Sequence, residues 1–76
     1  MNKHDIEFMK IGLNIAYQRK LKKMSQLDLA EKAGISRTHI SNIEAPNMPT
    51  VLSIETLLDI ADALEIPASQ LLDFTR

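Results

Sequence analysis

The chain has 76 residues, 45% apolar and 25% charged, with a net charge of −1 and no cysteine. This is the size and composition of one ordinary globular domain, which excludes a disordered chain, a disulfide framework and a thiolate metal site. Charged residues interrupt every apolar run well short of the ~18 residues a membrane span needs, so the expectation is a single domain over residues 1–76, its core in about 8–74, in a reducing cytoplasm.

The first four residues carry no periodicity and should fray. From about Asp5 to Lys22 the spacing is helical, with Phe8, Ile11, Ile15 and Leu21 as the inward row. A basic run, RKLKK, closes the last turn, where cations suit the negative end of the helix dipole. The next stretch, QLDLAEKAGISRTHISNIEA, predicts two short helices around a tight turn, with Leu29, Ala33, Ile40 and Ile43 facing inward. Two helices crossing steeply need a small contact residue, and Ala30 supplies it; Gly34 can take the left-handed conformation that stops the first of them. Ser25 and Ser36 each stand one residue before a helical pattern, where a hydroxyl oxygen can accept from free backbone N–H groups. That arrangement is a helix-turn-helix.

Pro46 and Pro49 then forbid regular structure in APNMPTVL, which is a loop. Ser53 caps a fourth helix over about Ile54 to Leu64, with Leu57, Ile60, Ala61 and Leu64 on one side. Pro67 can open a fifth helix, about Ala68 to Asp73, and Leu71, Leu72 and Phe74 close the chain with apolar groups. Met24 falls at a core position, with Met9 and Met48 as gap-fillers. The expected fold is all-α, a compact body of five helices.

Net charge alone argues against a polyanionic partner, but its distribution does not. Residues 1–44 carry eight Lys/Arg against five Asp/Glu, +3, whereas residues 45–76 carry one against five, −4. The half with the helix-turn-helix is the basic one, as expected of a protein that turns that half toward nucleic acid.

The stretch QLDLAEKAGISRTHISNIE resembles the helix-turn-helix of the phage-repressor and Cro type of DNA-binding domain, also called XRE-like or lambda-repressor-like. The similarity runs from about Ile11 to Leu72, and RTHISNIE adds a narrower resemblance to the controller proteins of restriction–modification systems. The resemblance implies a sequence-specific regulator of transcription, prokaryotic or phage, that binds double-stranded DNA. It also marks departures. Gln18 stands where the family has an apolar residue, Lys23 where a glycine often ends the first helix, and the loop after Glu44 is longer, with no basic residue.

A B-form major groove accepts one α-helix and displays a distinct pattern for each base pair. The second helix of the motif, 36–44, turns Ser36, Arg37, Thr38, Ser41 and Asn42 outward, with His39 beside them. Arg37 can offer two donors to guanine, Asn42 can pair with adenine, Thr38 can meet a thymine methyl, and Ser41 can donate or accept. These four are the candidate base readers. For phosphates the candidates are Gln26, by its family position at a helix start, and Ser25, Ser36, His39, Arg19 and Lys23. The family pattern also pairs Arg19 with Glu44 in an ion bridge between the first helix and the end of the recognition helix. The competing reading for each is an ordinary solvated side chain or cap.

One recognition helix touches few base pairs, so a homodimer on half-sites ~34 Å apart is expected, and Ile66, Leu71, Leu72 and Phe74 are the candidate dimer surface, with the edge of the monomer core as the alternative. An antitoxin or other protein-interaction module on the same fold is the alternative, suited to the acidic second half. No catalytic constellation, metal cluster, cofactor or small-molecule site is expected: His4 and His39 stand alone, and no phosphate-cradling glycine loop exists.

Overall fold

The computed structural model describes residues 3–75, which form α1 (Asp5–Leu21), α2 (Gln26–Ala33), α3 (Arg37–Glu44), α4 (Ile54–Leu64) and a 3₁₀ turn, Ala68–Gln70. Met1 and Asn2, part of the expected frayed start, lie outside the described residues, and Lys3 and His4 form a turn into α1. No helix among the described residues is long and apolar enough to cross a membrane.

Each boundary of the central motif has a local cause. The Ser25 hydroxyl accepts from the Asp28 N–H at 2.9 Å while the Asp28 carboxylate accepts from the Ser25 N–H at 2.9 Å, a reciprocal capping box at the start of α2. Gly34 ends α2 at φ 74°, letting the Ile35 N–H return to the Ala30 carbonyl at 3.0 Å. The Ser36 and Ser53 hydroxyls accept from the His39 and Thr56 N–H groups and so start α3 and α4.

Two helix ends use the glycine-favouring conformation without a glycine. Lys23 has φ 58° and Glu65 φ 57°, and the following N–H groups of Met24 and Ile66 bond back to Arg19 and Ala61. The departure at Lys23 therefore leaves the family's helix ending in place but strains it. A left-handed L-residue costs roughly 1–2 kcal/mol, against about 0.5–1 kcal/mol for the extra chain entropy of glycine. Lys23→Gly should therefore stabilise the fold and raise Tm by about 3–6 °C; a fall in the melting curve would show that the strain is absent.

The core joins Ile11 and Ile15 of α1, Leu29 and Ala30 of α2, Ile40 and Ile43 of α3, and Leu57, Ile60, Ala61, Ala63 and Leu64 of α4, closed by Leu71. Phe8, Met24, Ala33 and Ile35 pack against it half-buried. Gly12 lets α1 cross α3 backbone to backbone: a Cβ at this position would run into the Ile43 carbonyl. Two expected inward residues turn out otherwise. Leu21 is 59% exposed because the inward row of Ile11 and Ile15 continues at the buried Arg19, and Leu21 points to another side of the last turn, roughly 120° from Ile15 at about 3.6 residues per turn. Met48 is 52% exposed on the loop, filling no gap.

The expected fifth helix is only the 3₁₀ turn. Gln70, Leu71 and Leu72 N–H groups bond three residues back, to Pro67, Ala68 and Ser69. Continuation as α-helix is blocked by a distant side chain: the buried Asn14 amide donates to the carbonyls of Leu71 at 3.0 Å and Asp73 at 2.9 Å, pinning the segment that follows the turn. Leu71 is fully buried by this clamp, which removes it from the candidate dimer surface; Leu72 is exposed, while Ile66 and Phe74 are half-buried against the core.

Candidate nucleic-acid interface

The amphipathic spacing of α3 sends Ile40, Ile43 and Glu44 inward, leaving Ser36, Arg37, Thr38 and Ser41 exposed and His39 and Asn42 half-buried on the opposite side. The result is a polar, hydrogen-bonding ridge on a helix anchored by two fully covered isoleucines. Among the described residues no cluster of three His, Asp or Glu could hold a metal ion.

Beneath the ridge lies a charged network. The Arg19 guanidinium donates through Nε to Glu44 Oε2 and through Nη2 to Glu44 Oε1, both at 2.9 Å, and through Nη1 to the Met24 carbonyl at 2.8 Å. The Gln26 amide donates to Glu44 Oε1 at 3.1 Å. One carboxylate at the end of α3 thus gathers α1 and the first residue of α2. The bond to Glu44 raises the Arg19 pKa above its ordinary value, and burial opposes the rise. The family's ion pair is present: the guanidinium, in a residue 9% exposed, is bonded at all three nitrogens and is first of all an internal tie, with two of its five N–H donors left over for the second, phosphate role.

The remaining phosphate candidates surround the start of α2. Lys23 and Ser25 are exposed there, although the Ser25 hydroxyl is engaged as the cap, and Gln26 is half-buried with its amide held by Glu44. The basic run does not act as one patch. Arg19 faces inward, and Lys22 lies near enough to Glu65 to help Lys32, bonded to Glu65 at 3.1 Å, hold that carboxyl below its usual range. Lys20 and Lys23 remain exposed. After α3 the Thr50 hydroxyl lies 3.0 Å from the Asn42 carbonyl and 3.2 Å from that of Met48, fastening the loop to the helix end, with Asn47 exposed between.

Several of these contributors escape a reading of the sequence. Asp28 had a signal, since an acid three residues after a helix-capping serine is a capping-box spacing. Gly12 had a weaker one, an isolated glycine within a helical pattern. Asn14, Thr50 and the Gln26–Glu44 bond had none, because each depends on a partner elsewhere in the chain.

The Asp28 carboxyl is held below its ordinary range, first by the N–H of Ser25 and then by the Ser25 hydroxyl. Its contribution to stability is therefore present above the normal carboxylate range, near pH 4, and fades as pH falls below it. Asp28→Asn should flatten the acid side of the Tm–pH curve while leaving a smaller change in its slope above pH 6. An unaltered acid limb would mean that the box is not formed.

Four helices, a left-handed glycine turn and a polar ridge on the second helix of the pair define a helix-turn-helix domain. The helix-turn-helix family HTH_3 matches residues 15–71, and the chain belongs to that family. It is 40% identical over 63 residues to the HTH-type transcriptional regulator SinR of Bacillus subtilis, covering 83% of this chain and 56% of the relative. It is 41% identical over 61 residues to the immunity repressor of Bacillus phage phi105, covering 80% and 41%. The chain thus spans about half the length of the curated relatives it matches.

Solved structures agree. The biofilm master regulator SinR in complex with DNA superimposes with a TM-score of 0.76 at 40% identity, covering 83% of this chain and 98% of that one. The restriction–modification controller C.AhdI of Aeromonas hydrophila gives 0.80 at 27% identity, covering 87% and 97%. Both the phage-repressor resemblance and the narrower controller resemblance have counterparts here.

Proposed function

We propose that this chain is a non-enzymatic, sequence-specific DNA-binding regulator of transcription, working in the cytoplasm as a homodimer on a two-fold operator. The observation that carries the reading is the polar ridge of Ser36, Arg37, Thr38 and Ser41, exposed on a helix whose other side is anchored in the core by Ile40 and Ile43. A similar protein has been solved on DNA, and the curated relatives are a transcriptional regulator and a repressor.

In this reading Arg37, Thr38, Ser41 and Asn42 read bases, while Gln26, Ser25, Ser36, His39 and Lys23 meet the backbone. Dimerisation uses Leu72 with the outer parts of Ile66 and Phe74. The whole chain acts as one domain, and it needs no cofactor. Selection of bound sequences from a random duplex pool at two salt concentrations tests the class: an enriched two-fold motif whose affinity falls steeply with salt is expected. Arg37→Ala should lose about 1–3 kcal/mol of discrimination at one base position, whereas Gln26→Ala should weaken all sequences alike. Equal affinity for scrambled duplexes would overturn the reading.

A further inference from the structure

The solvent side of α4 is unlike that of a helix that only covers a core. Ile54 is 70% exposed and Leu58, four residues on, 49%, with Val51 61% exposed just before the capping Ser53. Residues four apart stand one above the other on a helix, so the two form an apolar row. Glu55, Asp59 and Asp62, spaced by four and three, form an acidic row beside it. The opposite side of α4 is fixed in the core through Leu57, Ile60, Ala61 and Leu64, so the two rows are presented on a rigid, capped helix.

Charge decides what can cover this face. Residues 45–76 hold five carboxylates against a single cation in the sequence, Arg76, and Glu65 is bonded to Lys32. DNA is repelled there. A second copy in a two-fold contact would set the same carboxylates against each other, and like charges brought together at an interface oppose association. An incoming surface must therefore be both apolar and positively charged. We propose that the solvent face of α4, Ile54 and Leu58 with the Glu55–Asp59–Asp62 row, docks a basic, apolar-faced segment of another protein.

The proposal is independent of the operator reading and can fail separately from it. The test is titration of the ¹⁵N-labelled full chain with three synthetic peptides: an amphipathic Leu/Lys helix, a scrambled version of the same composition, and a Leu/Glu helix. The Leu/Lys helix should give saturable shifts centred on the amides of residues 54–62. Leu58→Gln and Asp62→Lys should each weaken it at least tenfold while leaving the melting curve and duplex affinity unchanged. Four outcomes would overturn the proposal: equal binding of the scrambled peptide, binding away from α4, no loss in either variant, or α4 shifts that follow protein concentration alone and so report a second copy. Loss of duplex binding in the two variants would also overturn it, assigning the face to the DNA-bound assembly.

Discussion

Glu44→Ala should destabilise the protein by about 3–5 kcal/mol, because removing one partner of a buried pair leaves the other charge uncompensated. The charge left behind is that of Arg19, whose side chain is only 11% exposed and would keep only its bond to the Met24 carbonyl. A domain of this length is stable by roughly 4–11 kcal/mol at 0.05–0.15 kcal/mol per residue, so the loss consumes a large part of the total. Arg19→Met and Glu44→Gln should each be destabilising, and the double variant should lose clearly less than their sum in a denaturant-unfolding cycle. Additivity would mean that the bidentate geometry contributes nothing. The same carboxylate holds Gln26 at the start of α2, so a Glu44 variant that still folds should bind duplexes of every sequence more weakly.

Gly12→Ala should be destabilising by about 2 kcal/mol or more, although helix propensity points the other way. In an exposed helix interior alanine is favoured over glycine by about 1 kcal/mol. Here the new methyl would meet the backbone of α3, with the Ile43 carbonyl carbon 3.0 Å away and its oxygen nearer still. Backbone cannot rotate aside as a side chain can, so α1 and α3 must separate, loosening Ile11, Ile15 and Ile43. Overpacking of this kind costs about 1–3 kcal/mol, occasionally more, and the clash outweighs the propensity gain. Because α3 carries the polar ridge, surviving protein should also show reduced duplex affinity. A rise in Tm would mean that the two helices do not approach as closely as described.

Much of the motif was legible because its signals are local. Ser25, Ser36 and Ser53 cap helices through N–H groups three residues away, and Gly34 stops α2 through its own φ, so residue type and spacing suffice. The bounds of α4 and the outward set on α3 follow in the same way. Leu21 was misjudged because an apolar residue type was followed where the spacing of Ile11 and Ile15 leads to Arg19, whose buried charge only its partner Glu44 explains. The Arg19–Glu44 pair was legible only through family resemblance, since nothing in its 25-residue separation announces contact.

What the sequence by itself determined is the set of elements whose causes lie within a few residues: four helices, the serine caps of three of them, the turn and the polar side of α3. Only the tertiary structure decided which groups meet across the chain. The amide of Asn14 reaches a carbonyl 57 residues away, which turns an expected fifth helix into a single 3₁₀ turn and moves Leu71 from a supposed dimer surface into the core. Gly12 against Ile43 and Glu44 beneath Gln26 are of the same kind. Helical periodicity specifies which side of an element is buried, but the partner on that side depends on packing, which local spacing does not encode.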